Sequence, residues 1–155
     1  MIEIITSLAD AQDVYDFAAG LDPGWRCNQS AVLRGEMERS HPKLRAVEGF
    51  IGREDAMVIV SHVGALSSPI RGYLIVVDDS EGKHGGCHGR WVGVTGSRPH
   101  MVETAVEMLS VAADEYGWVW GRVGNIGLHD IFRDDIPEGA ELRVDREVLT
   151  FRRSP

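Results

Sequence analysis

The stretch from residue 91 to residue 123 constrains this chain most, because its period changes twice within a few turns. WVGV at 91–94 reads as the end of a strand. Val102, Ala105, Val106, Leu109, Ala112, Ala113 and Tyr116 then recur at helical spacing, with Glu103, Glu107, Ser110 and Asp114 on the other side. Pro99 stands at the helix start, where its missing N–H costs nothing, and Gly117 ends the helix. Residues 118–123 return as a strand. Such a strand–helix–strand unit is a parallel crossover and sets the chain in the α/β class.

The flanking sequence fills in the other elements. Residues 2–5 alternate as a short strand. Ser7 with Asp10 three residues on has capping-box spacing, and Leu8, Ala11, Val14, Ala18 and Leu21 fall on one helical face until Asp22-Pro23-Gly24 stops it. A second helix is expected over about 29–38. From Arg45 to Thr95 the pattern turns extended. AMVIVSHV (56–63) and GYLIVV (72–77) are near-continuous apolar runs of the kind covered on both faces. Short connections make them antiparallel neighbours. A short helix near 128–133 and a terminal extended segment over 141–152 complete the order. There is no repeat or linker, so residues 1–155 read as a single domain with a mixed, mostly antiparallel sheet flanked by helices.

Charge and composition remove several classes of function. The formal net charge is −8, whereas nucleic acid and anionic membrane surfaces select basic patches, so neither is expected as a partner. No apolar run reaches the ~18 residues of a membrane span, and the N-terminus lacks the cationic and apolar regions of a signal peptide. Two cysteines, Cys27 and Cys87, define no disulfide framework. A cytoplasmic protein with reduced thiols is the expectation.

This order of elements resembles the GNAT superfamily of acyl-CoA-dependent N-acyltransferases along nearly the whole chain. The resemblance implies that acyl-CoA lies between the fourth and fifth strands. It also implies a pyrophosphate resting on the turn before the following helix, in a Gln/Arg-x-x-Gly-x-Gly/Ala motif. Arg98 fits the first position of that motif, but Met101 and Glu103 stand at the glycines, where side chains would obstruct the phosphates. Gly96, Ser97 and Arg98 still offer backbone N–H groups, a hydroxyl and a guanidinium beside a positive helix end. Thr95 or Ser97 also suits the helix cap. The turn therefore reads as an eroded cradle, with Gly93, Val94, Thr95, Gly96, Ser97 and Arg98 as its cofactor-binding residues. The family's Asn after the fifth strand is matched by Asn125. The tyrosine seven residues on, which protonates the leaving thiolate, is Phe132 here and has no proton to give.

Acyl transfer to an amine needs a neutral amine, a donor to the carbonyl oxygen and a proton for the thiolate. A strand-four N–H freed by a bulge at Gly93 or Val94 would be the donor, although a strand glycine also marks close packing. His129 is the substitute acid, and His88 and Glu48, near strand ends, are the candidate bases. The expected activity is acetyl transfer from acetyl-CoA, or another acyl-CoA, to a small-molecule or peptide amine, with a homodimer possible in kind. The alternative is a non-enzymatic binding or assembly module of the same fold that has lost the chemistry.

His84, Cys87 and His88 lie within one glycine-rich loop and are zinc ligands by type. A structural zinc site wants four ligands in two close pairs, and no second pair is present, so no metal is expected. Trp91, Trp118 and Trp120 flank the proposed gap as pocket walls or core. Arg143, Arg146, Arg152 and Arg153 make a locally basic C-terminus, read as a solvated edge.

Overall fold

The computed structural model describes residues 1–21, 42–66, 68–122, 138–145 and 148–153. One seven-stranded sheet runs in the order β1-β2-β3-β4-β5-β7-β6. Its strands are β1 (Ile2–Ile4), β2 (Ala56–His62), β3 (Ile70–Asp78), β4 (Cys87–Val94), β5 (Val119–Arg122), β6 (Ala140–Asp145) and β7 (Val148–Arg153). Neighbours are antiparallel except β4 and β5, which run parallel across the helix that joins them. The mixed, mostly antiparallel sheet is the one the sequence led us to expect.

Helices cover both faces. Helix α1 (Ala11–Gly20) and helix α2 (Leu44–Ile51) pack on one side, where Phe17 meets Tyr73 edge-on at 6.1 Å and Phe50 meets Trp91 at 5.9 Å. Helix α3 (Arg98–Tyr116) covers the other. It approaches closely because β3 carries Gly72 beneath it: a Cβ there would lie 2.6 Å from Thr104 Cγ2 and 3.0 Å from Met108 Cε. That approach rotates the buried stripe away from the expected one. Met101, Thr104 and Met108 join Ala105, Leu109 and Ala112 in the core, while Val102 and Val106 are half-buried.

Four other expectations need correction. Ser7 does cap, accepting from the Ala9 N–H at 3.3 Å, but the turn it starts is a 3-10 segment (Leu8–Asp10) that leaves Leu8 60% exposed. Residues 44–51 are helical, not extended: Val47 and Phe50 sit three apart and are buried together, a spacing outweighed in the sequence by the apolar run that follows. The terminal segment is two antiparallel strands, β6 and β7, paired from Ala140↔Arg153 to Asp145↔Val148. The C-terminal arginines do more than decorate an edge: Arg153 pairs with Asp114 of α3 at 3.0 Å, and Arg152 lies 4.4 Å over Trp118. The helices expected near 29–38 and 128–133 fall outside the described residues. No helix among the described residues is long and apolar enough to cross a membrane.

Candidate functional site

Strand β4 organises the site through two irregularities. Against β3, Trp91 faces Ile75 and Gly89 faces Val76, so Arg90 is the extra residue of a bulge. The bulge thus lies at Arg90, three residues before the Gly93 expected to carry it. Against β5, β4 pairs only through Cys87↔Val119 and His88↔Trp120. Beyond those pairs residues 89–94 have no strand partner on that side among the described residues, while β5 continues to Arg122 bonded to β7. The two strands therefore part just after His88 and Trp120, and a gap opens along the sheet.

The glycine at 93 has its own reason. A Cβ there would sit 2.3 Å from Leu21 Cδ1 and 2.6 Å from Tyr73 Cε1, so side chains from the α1 side cross over its Cα. Packing requires this glycine. Its N–H turns toward β3, as that of Thr95 does, so of the two residues expected to offer a donor only Val94 directs its N–H to the β5 side.

At the far end of the gap, the turn into α3 is open. Thr95, Gly96 and Ser97 are exposed, and Gly96 holds φ at 116°, with only His100 Cβ near a would-be Cβ, at 3.4 Å. Thr95 donates its N–H to Arg71 O at 3.0 Å. Ser97 occupies the N-cap position, but its side chain makes no capping hydrogen bond. The positive end of this 19-residue helix thus lacks a side-chain cap from its own N-cap residue. Met101 is no obstruction. It is 4% exposed and turned into the core, contrary to the expectation from its place in the motif; Glu103 is exposed. An exposed glycine turn, an unengaged hydroxyl and a helix N-terminus fit a pyrophosphate in kind.

The other end of the gap carries His88, half-buried and stacked on Trp120 with ring centroids 4.2 Å apart and planes 14° apart. Trp120 Nε1 donates to Asp79 Oδ2 at 3.0 Å, and His84 packs on the same indole at 4.3 Å. The two histidines considered as metal ligands therefore pack in an aromatic cluster, and Cys87 is buried. Among the described residues no group of three or more His, Cys, Asp or Glu could hold a metal ion. Glu48 is half-buried on α2, two residues before Phe50. Above that ring stand Arg53 at 5.4 Å and Arg90 at 5.7 Å, and Arg90 also lies 5.3 Å over Trp91. Burial, and then the neighbouring Arg53, push the Arg90 guanidinium below its ordinary value. His129, Asn125 and Phe132 fall outside the described residues. The sequence offers Trp120 only as a wall of the gap or core and does not mark Asp79; the faint signal is Asp79 before a loop with two histidines.

Cys87 is buried beside these groups, and burial pushes its thiol up to about 12, with Asp78 and Asp79 adding to the effect. The folded state holds this proton more tightly than the unfolded chain does. Its contribution to stability is therefore complete below the ordinary thiol value of ~8.5 and is lost as pH rises from there toward about 12. Iodoacetamide at neutral to mildly alkaline pH, followed by peptide mapping, is expected to leave Cys87 unmodified in the native protein and to alkylate it in urea. Rapid native labelling would contradict its burial.

The fold is α/β and GNAT-like, with a helix N-terminus at one end of a parallel strand pair whose ladder ends early. Solved structures agree on the fold. The chain superposes on Tetrahymena GCN5 over 99% of its length and 95% of that chain, with a TM-score of 0.53 at 7% identity. It superposes equally on a ribosomal-protein-alanine N-acetyltransferase from Brucella melitensis, with a TM-score of 0.53 at 12% identity, covering 99% of this chain and 98% of that one. No family model matches the chain, and no curated protein does. The shared property is the GNAT fold.

Proposed function

We propose that the protein is an acyl-CoA-dependent N-acyltransferase acting on an amine. The observation that carries this reading is the parting of β4 from β5 after His88 and Trp120, with the open Gly96–Ser97 turn at the other end of the same strand. A slot of that kind accepts an extended thioester arm along residues 89–94 and delivers its reacting end near His88. The acyl-CoA supplies an activated carbonyl: the amine nitrogen bonds to it, the C–S bond breaks, and the thiolate leaves with a proton.

The chain's residues then take separate roles. A backbone N–H on the β5 side of β4 orients and polarises the carbonyl; Val94 is the candidate, because the Thr95 N–H turns to Arg71 on β3 and strand alternation turns the Gly93 N–H the same way. Gly96, Ser97 and Arg98 hold the diphosphate, with Thr95 at the rim and Asn125 as the further cofactor-binding residue. His88, with Glu48 as the second candidate, takes the amine proton directly or through water. His129 is the proposed donor to the thiolate.

Calorimetry with acetyl-CoA and with CoA tests the reading. We expect micromolar binding, weakened about 10-fold or more by Arg98→Ala, as befits a lost charge-assisted hydrogen bond to phosphate. No heat and no thermal shift at millimolar ligand would remove the acetyl-CoA enzyme and leave the binding-module alternative, with acyl carrier protein as the one donor still to try.

A further inference from the structure

We infer that Trp120 is a positioning residue for His88: an indole tied by its own N–H to Asp79 holds the imidazole in one plane where β4 and β5 part. What His88 does there rests on the acyltransferase reading; how it is held rests on geometry alone.

An imidazole on a strand edge ordinarily turns about its terminal torsion, whose preferences are broad. Here the ring lies nearly flat on the indole of its cross-strand neighbour, 14° from parallel at 4.2 Å. The indole is itself fixed. Its Nε1 donates to the Asp79 carboxylate at 3.0 Å, a charge-assisted bond that sets the ring's rotation. The loop bearing Asp79 is pinned in turn. Asp79 N–H donates to Gly86 O at 2.9 Å, and Trp118 Nε1 donates to His84 O at 2.9 Å. Gly86 sits at φ 58°, where a Cβ would lie 2.4 Å from Trp118 O, so only glycine lets the loop close this tightly. That closure also lays His84 against the indole at 4.3 Å.

Core packing does not account for the arrangement. Asp79, His84, His88 and Trp120 are all half-buried and lie at the opening of the gap, away from the apolar interior. A tryptophan placed only to fill space has no need of a half-exposed carboxylate to set its rotation. The sequence of constraints runs from Gly86 through Asp79 and Trp120 to one ring, and that ring is the titratable group at the point of divergence.

The test compares Trp120→Leu, Trp120→Phe, Asp79→Ala and Asp79→Asn, with folding checked by circular dichroism and thermal melting. Histidine-selective NMR reads position without any reaction. In the wild type the His88 ring protons should be displaced upfield by the indole and should return toward free-histidine positions in Trp120→Leu. In acetyl-CoA turnover, Trp120→Leu and Asp79→Ala should lower kcat about 10²-fold, with KM for acetyl-CoA little changed, because misplacing a reacting group taxes the chemical step. Asp79→Asn, which can still accept the indole N–H, should recover most of the rate, and Trp120→Phe should fall between. Undisplaced His88 resonances in the wild type, or a folded Trp120→Leu with unaltered kcat, would overturn the proposal. A wild-type protein that shows the displaced resonances but turns over no acyl-CoA supports the positioning and overturns the acyltransferase reading instead.

Discussion

Truncating Phe151 to alanine should cost about 3–5 kcal/mol of stability, the range for removing a fully buried aromatic side chain. Phe151 is 1% exposed and ranks among the largest fully buried side chains. On β7 it pairs with Val119 of β5 on one side and Leu142 of β6 on the other. Its loss opens a cavity where three strands and α3 meet, and the backbone ladders on both sides keep the walls from collapsing into it. The consequence reaches the site, because β5 is joined to β4 by only two residue pairs, Cys87↔Val119 and His88↔Trp120. Urea denaturation should show a lower midpoint with an unchanged slope, the signature of lost stability without a change in the surface exposed. A loss below ~1 kcal/mol would mean that Phe151 does not close the core at this end of the sheet.

What the sequence disclosed follows from which signals are local. The apolar runs at 56–63 and 72–77, and the helix ended by Gly117, carry their period within a few residues, and their strands and helix stand where expected. Helix α2 escaped because eight residues give barely two turns of periodicity before a stronger strand signal begins. The rotated face of α3 escaped for another reason: Met101, Thr104 and Met108 become core only because Gly72, on a strand some thirty residues earlier in sequence, lets the helix come close. Nothing inside the helix reports that.

The site divides along the same line. The turn at 95–98 is contiguous, and Thr95, Gly96 and Ser97 are exposed there, although Ser97 stands at the N-cap without the side-chain bond its residue type suggests. By contrast, the stacking of His88 on Trp120 joins β4 to β5, and the Asp79 bond brings in a residue 41 positions from the indole. The bulge also eluded the sequence. A glycine suggested position 93, yet the extra residue is Arg90, whose side chain finds support over Phe50 and Trp91. Glycine at 93 answers to Leu21 and Tyr73 instead.

Replacing His88 with alanine should reduce kcat about 10²- to 10⁴-fold, the usual contribution of a positioned general base. An amine attacks only when neutral, and near neutral pH most aliphatic amines are protonated, so a group that accepts the proton during attack gains most at that pH. Of the two candidate bases, Glu48 stands on α2, whereas His88 belongs to the last residue pair before the strands diverge. His88→Gln separates proton transfer from mere hydrogen bonding: glutamine can still bond to the amine or to a water but cannot carry its proton away, so its rate should match that of alanine. The pH profile of kcat/KM adds a signed check. With His88 present, activity rises with pH as the imidazole loses its proton and then levels. Without it, that rise should disappear and the remaining one should move to the alkaline range set by the amine itself. If His88→Ala keeps both the wild-type rate and the wild-type profile, the proton goes to Glu48 or directly to water, and the stack on Trp120 shapes the gap without taking part in the chemistry.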